Sequence, residues 1–182
     1  MHSLLICRTA HRYAEKILKN KFGVYRVVYA AFSLITLLPV LWYHYSIPQH
    51  ILLERNLAIS LVQGSLLIYG LLMFYLGSQV YDMQFFLGIT QWKNAKKNKQ
   101  TTPLPFHTDG ILAHVRHPWY SAGIAFIWGF GNITDVYILT RVILTGYFII
   151  GTYLEEKRLI AELGDQYEAY CRDVPLIPWK LK

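Results

Sequence analysis

The sequence predicts an all-α fold: a polytopic membrane helix bundle of about four transmembrane helices. The last two form a hairpin, preceded by an N-terminal interfacial helix and followed by a C-terminal cytoplasmic strap. Three observations carry this. Of 182 residues, 54% are hydrophobic and only 16% charged, where a soluble domain carries about 25% charged residues. No Asp, Glu, Lys or Arg occurs in residues 27–53 or 56–81, and roughly 20 apolar helical residues cross a hydrocarbon core of about 30 Å. The charges that remain are grouped, basic residues above all, as at the ends of membrane helices. The pattern excludes an ordinary soluble enzyme and a disordered chain. A nucleic-acid-binding module would need basic residues interleaved with exposed aromatics on a soluble face, and that arrangement is absent.

Residues 3–20 place Ile6, Ala10, Tyr13, Ala14 and Ile17 at helical spacing, with Arg8, Arg12, Lys16 and Lys19 largely elsewhere. That is a basic amphipathic helix lying in the interface. The first span is expected over 24–43, with Trp42, Tyr43 and Tyr45 as an interfacial belt and Pro39 placed to kink it near the outer end. The second is expected over 57–76, its helix continuing toward Phe86, with Asp82 as an interfacial charge that caps, pairs with the basic loop or faces a cofactor. Basic residues Arg8 to Arg26 precede the first span, and Lys93, Lys96, Lys97 and Lys99 follow the second. The positive-inside rule puts both groups in the cytoplasm and the 44–56 loop outside.

Residues 93–109 read as a polar linker. A third apolar stretch, 118–133, is barely long enough to span. Residues 132–135 make a tight turn in which Thr134 or Asp135 caps the next helix. The fourth span, 136–154, runs on into Glu155-Glu156-Lys157-Arg158, so both ends of the hairpin are cytoplasmic. The tail reads as a helical extension followed by a strap fixed by Pro175 and Pro178. The chain is thus a single membrane domain, 1–182: an N-terminal part (1–92), the linker (93–109), and the hairpin with its tail (110–182). The apolar part of its start is too short for a secretory signal peptide. Cys7 and Cys171 both lie on cytoplasmic segments, so no disulfide is expected. Asn132-Ile133-Thr134 matches a glycosylation sequon but sits too close to the bilayer to be a good acceptor.

Two polar groups flank the hairpin on one membrane face: Arg116-His117-Pro118-x-Tyr120 where the third span begins, and Glu155-Glu156 where the fourth ends. Ionisable residues that can pair at membrane helix ends are functional candidates. The alternative, an arginine anchor and a solvated acidic helix start, stays open on spacing alone. His107, His114 and His117 invite a metal reading. However, His117 precedes Pro118, which disfavours a helical backbone there, and no Cys completes a zinc set, so no metal is expected. Arg141, about six residues into the fourth span, is expected to snorkel outward, and Cys171 to be inert.

The ordered motifs resemble a known superfamily. Arg-His-Pro-x-Tyr, a helical hairpin, Glu-Glu, then Gly164-x-x-Tyr167-x-x-Tyr170 and Val174-Pro175-x-x-Pro178 look like the isoprenylcysteine carboxyl methyltransferases and related phospholipid methyltransferases. The N-terminal half, in His2-Ser3-Leu4-Leu5, Tyr25-Arg26-Val27-Val28-Tyr29 and Phe86-Leu87-Gly88-x-x-Gln91, is similar to the methanethiol S-methyltransferase and NnrU-like branch. In that branch a membrane helix normally precedes the His-Ser motif, so the resemblance implies a truncated start or a four-span variant.

The resemblance implies S-adenosylmethionine as methyl donor, with Arg116, Glu155 and His117 catalytic. Arg116, His117, Pro118, Tyr120, Glu155, Glu156, Tyr167 and Pro175 would bind the cofactor. Arg116 or His117 would take its carboxylate, Tyr120 or Trp119 its sulfonium, and Glu155 or Glu156 its hydroxyls and amino group. The implied partners are membrane lipids and a small thiol or lipophilic methyl acceptor. The implied site faces the cytoplasm, in a bacterial inner membrane or a eukaryotic endomembrane. A thiol acceptor needs a base, for which His117 is the candidate. The alternatives are a haem-binding NnrU-like isomerase or redox protein, with His2 and His114 or His117 as ligands, and a non-catalytic scaffold.

Overall fold

The computed structural model describes residues 22–97, 99 and 105–178, and of residues 22–26 and 29 the backbone alone. The expected interfacial helix, His2 and Cys7 lie outside the described residues. In chain order the elements begin with α1 (Phe22–Ser46), β1 (Ile51–Leu53), α2 (Leu57–Val80), α3 (Met83–Phe86) and α4 (Ile89–Lys96). A 3₁₀ turn (Gly110–Ala113) then leads to α5 (Pro118–Gly129), β2 (Ile133–Thr134), α6 (Asp135–Leu163) and α7 (Asp165–Asp173). Two compact units divide the chain, Met1–Ile47 with Tyr81–Pro105 and Pro48–Val80 with Phe106–Lys182. The division does not follow the expected order along the chain, because α2 belongs with the hairpin.

In the first unit α1 continues through Pro39 and leaves Leu34, Ile35, Leu38 and Trp42 exposed. The helix expected to run on to Phe86 stops at Val80. Asp82 restarts it as the N-cap of α3, its carboxylate accepting from the Phe85 amide at 2.9 Å, which satisfies one orphan donor of the new helix. Asp82 is therefore a cap.

In the second unit α2 and α6, 24 and 29 residues long, are long and apolar enough to cross a membrane. Only 11% of each one's apolar window is buried, whereas a core helix of a soluble protein would be mostly buried. Leu57, Ile68, Leu71, Ile149 and Ile150 stand exposed. Water would not tolerate such faces, and these are the outer surfaces of a membrane protein.

Packing is concentrated where α5 crosses α2. Trp119 lies across Gly77, and Phe126 against Gly70. Met73, Val115 and Ala122 form the buried core, with Tyr69, Ile111 and Phe126 against it. The stretch expected to span over 118–133 is helical for only 12 residues, roughly 18 Å at 1.5 Å per residue. Arg141 explains the early stop. It does not snorkel. It is 2% exposed, and its guanidinium donates to the carbonyls of Ile127, Phe130, Gly131 and Asn132, the groups a helix C-terminus leaves unsatisfied.

A two-stranded antiparallel ribbon, β1 with β2, corrects the all-α expectation. Strands of three and two residues carry no alternation to read. The ribbon ties the start of α2 to the start of α6, so these helices leave from one end of the unit and α5 returns. Thr134 caps α6 as expected, accepting from the Tyr137 amide at 3.2 Å. At the far end the backbone turns into α7 at Gly164, whose φ of +57° is costly for any residue with a Cβ.

Candidate functional site

The far end of the second unit is built by three pieces of chain. His117 is the N-cap of α5 with φ −125° and ψ 66°, the non-helical backbone that a following proline imposes. Arg116 and His117 therefore point across to α6 from a bend that Pro118 fixes. On α6 the apolar run ends at Leu154, and Glu155 and Glu156 follow on its polar extension. Beyond Gly164, α7 returns over the end of the hairpin. Tyr167, Tyr170 and Val174 are buried there with Phe106, Leu159 and Leu163 packed against them.

Glu156 is the centre. Its carboxylate accepts from Arg116 at both oxygens, from Nε at 3.1 Å and Nη2 at 2.8 Å, a bidentate pair. His117 Nε2 lies 2.7 Å from Oε1, and the Tyr167 hydroxyl donates to the same oxygen at 2.7 Å. Side-chain exposures of 11% for Arg116, 13% for Glu156 and 6% for His117 leave little room for water. Burial alone would raise the Glu156 carboxyl. The hydrogen bonds from Tyr167, Arg116 and His117 outweigh it and hold the group below its ordinary value.

Arg116 has a second task. Its Nη1 donates to the carbonyls of Cys171 and Val174, and its own amide donates to Pro175 O at 3.0 Å. One side chain thus pins the strap to the hairpin. The Tyr170 hydroxyl donates to Leu112 O and fixes the strap to the turn before α5. Burial pushes Tyr170 up to about 12. Burial, with the Glu156 carboxylate alongside, raises Tyr167 as well. Both phenols are neutral donors at physiological pH.

An ionised carboxylate can only accept, so His117 Nε2 carries the proton in its bond to Glu156. The ring's Nδ1 lies 3.9 Å from Glu155 Oε2. Glu155 is the more open carboxylate, 32% exposed, with Arg158 at 3.8 Å. Its charge acts on Tyr120, whose ring stands edge-on to His117 at 5.4 Å. The site has an inner, saturated half and an outer, open one.

All eight residues singled out in the sequence fall at this end of the unit. Arg116, His117, Glu156 and Tyr167 form one hydrogen-bonded cluster; Tyr120 and Glu155 adjoin it, and Pro118 and Pro175 hold its backbone. Trp119 is turned away: its indole donates to Phe74 O at 3.2 Å and stacks on Phe74. Cys171, read from the sequence as inert, has its Sγ 3.6 Å from Glu156 Oε2. Its place one residue after Tyr170, on the helix carrying Tyr167, was the available signal. Burial raises its thiol, so it is a poor nucleophile. Among the described residues no three His, Cys, Asp or Glu side chains are grouped to hold a metal ion.

Comparison with known proteins finds relatives in sequence. The chain is 30% identical over 158 residues to methanethiol S-methyltransferase 1 of Bradyrhizobium diazoefficiens, covering 85% of this chain and 55% of that protein. It is 29% identical over 152 residues to the methanethiol S-methyltransferase of Crocosphaera subtropica, covering 84% and 60%. Over 74 residues it is 38% identical to protein-S-isoprenylcysteine O-methyltransferase of Schizosaccharomyces pombe, covering 37% of this chain and 30% of that one. The chain therefore spans under two thirds of the length of these curated relatives. No family model and no solved structure matches it. The names of these relatives support a likeness to the isoprenylcysteine methyltransferase-like superfamily and to its methanethiol S-methyltransferase branch.

Proposed function

We propose that this chain is a four-span membrane methyltransferase that uses S-adenosylmethionine to methylate a small thiol at the cytoplasmic interface. The observation that carries the reading is the pairing of a saturated Arg116–Glu156–His117–Tyr167 cluster with an open Tyr120–Glu155 edge beside it. The names of the relatives support the reaction class, and the thiol comes from the methanethiol S-methyltransferases among them.

The residues present fit the donor. A sulfonium is a cation, and the open edge offers a carboxylate not consumed by a bidentate partner, Glu155, together with the Tyr120 ring, whose π system attracts a cation. Arg116, by contrast, already makes four hydrogen bonds inside the protein. We assign it to holding the strap and Glu156 rather than to the donor's carboxylate. When bound, S-adenosylmethionine supplies an electrophilic methyl group, passed to the thiol sulfur with loss of the thiol proton and release of S-adenosylhomocysteine.

His117 Nδ1 takes that proton, since the thiolate is the nucleophile and Nε2 is committed to Glu156. Glu156 stabilises the imidazolium that results, and Tyr167 holds the carboxylate in place. The apolar α5–α6 surface below delivers the acceptor from the bilayer, while the water-soluble donor arrives from the cytosol. Methyl transfer needs no covalent enzyme intermediate, so positioning and exclusion of water supply most of the rate.

Isothermal calorimetry of the detergent-solubilised full chain tests the donor. One-site binding of S-adenosylmethionine and S-adenosylhomocysteine is expected. Well-folded protein that binds neither removes the reading.

A further inference from the structure

The seam between α5 and α6 holds together at a few places spaced along α6. Arg141 binds the carbonyls ending α5. Thr145 accepts from the Trp128 indole at 3.0 Å. Glu156 meets Arg116 and His117. Between the last two stands Phe148, and the residue facing it is Gly123. A Cβ at Gly123 would lie 2.7 Å from the tip of the Phe148 ring. The notch is therefore one that glycine alone leaves open, and the ring fills it.

The Phe148 ring meets Tyr120 edge-on, centroids 5.9 Å apart and planes at 86°. Tyr120 stands in the same way to His117 at 5.4 Å and 84°, and rests against Gly151, where a Cβ would sit 3.5 Å from its ring. A column of rings, His117, Tyr120, Phe148, thus leads from the polar cluster into the apolar part of the hairpin. Tyr147, Ile149 and Ile150 on either side are exposed on the lipid-facing surface. An acceptor that presents its sulfur to His117 while its apolar tail stays in the bilayer must lay that tail along this column.

Resting on the proposed methyl transfer, we infer that Phe148 is a specificity-determining residue, closing the α5–α6 seam on the membrane side of Tyr120 and limiting the acceptor to a small thiol. A methyl substituent makes the smallest demand on the space beside Tyr120. A long alkyl or prenyl tail has to displace Phe148 from the Gly123 notch. Discrimination of this kind amounts to roughly tenfold or more for each group that must be accommodated.

The test is methyl transfer by the full chain in lipid nanodiscs to methanethiol, butanethiol and octanethiol, for wild type, Phe148→Ala and Phe148→Leu. Wild-type kcat/KM is expected to fall with chain length. In Phe148→Ala the octanethiol-to-methanethiol ratio rises about tenfold or more, and in Phe148→Leu it moves the same way by a smaller factor. A ratio unchanged in the variants, or a wild type that methylates octanethiol as well as methanethiol, overturns this inference and leaves the methyl transfer standing. Should Phe148→Ala fail to fold, an unchanged ratio in Phe148→Leu has the same force. Wild-type protein that transfers to none of the three thiols overturns the parent reading, and this inference with it.

Discussion

Adjacent carboxylates at the end of α6 have opposite environments. Glu156 is enclosed and accepts from Arg116, His117 and Tyr167, whereas Glu155 is a third exposed with a loose arginine neighbour. Removing one partner of a buried ion pair strands the other charge, a loss of about 3 kcal/mol, while an exposed pair contributes well under about 1 kcal/mol. Glu156→Gln should therefore lower the thermal midpoint sharply, and Glu155→Gln should leave it nearly unchanged. Glu155→Gln should instead weaken S-adenosylmethionine binding about tenfold, equivalent to about 1.4 kcal/mol, as calorimetry would read.

The same pair has a pH signature. Because the folded Glu156 carboxyl is held below its ordinary value, its stabilisation is complete above the unfolded value of about 4.3. It is lost as pH falls through the lower folded value. The gap in midpoint between wild type and Glu156→Gln should close on acidification. A gap that persists or widens at low pH would mean the carboxylate is not the stabilising form.

Helix α5 owes its length to a residue on another helix. Arg141 is read from sequence as a charge six positions into an apolar run, and a charge there ordinarily reaches outward for water. Nothing in the linear pattern reports that four carbonyls of the preceding turn converge on it. The ribbon was hidden for a related reason, since a pairing of so few residues lives in the contact between distant segments. By contrast, local stereochemistry made much else legible: the break before Pro118, the Thr134 cap and the hairpin. Arg116, His117, Glu155 and Glu156 could be brought together on paper because a hairpin must return its ends to one level. Which glutamate Arg116 chooses, and that Cys171 stands beside it, depends on helical phase and on the strap. Arg141→Ala leaves those carbonyls unpaired and should cost about 3 kcal/mol, measurable as a lowered thermal midpoint in detergent. Arg141→Lys should recover little of it, because a point charge lacks the planar fork that reaches several acceptors at once. Full recovery by lysine would mean that charge alone caps α5.

The second unit is polarised from end to end, and its function depends on which end meets the cytosol. At the ribbon end the charges are Glu54, Arg55 and Asp135, two acidic and one basic. At the other end Arg116, Lys157, Arg158 and Arg172 accompany the candidate site. The positive-inside rule counts basic residues near span ends, and the proposed topology turns the site toward the cytosol on that ground. A water-soluble donor is available only there, so orientation and chemistry must agree for the proposed function to hold. Arg55→Cys should react with a membrane-impermeant maleimide in intact cells, and Glu168→Cys on α7 only after permeabilisation. Both are read against the unaltered chain, where burial raises the Cys171 thiol and slows its labelling. The opposite pattern would put the cluster on the outer face, where no cytosolic methyl donor reaches it, and would remove the methyltransferase reading together with the topology.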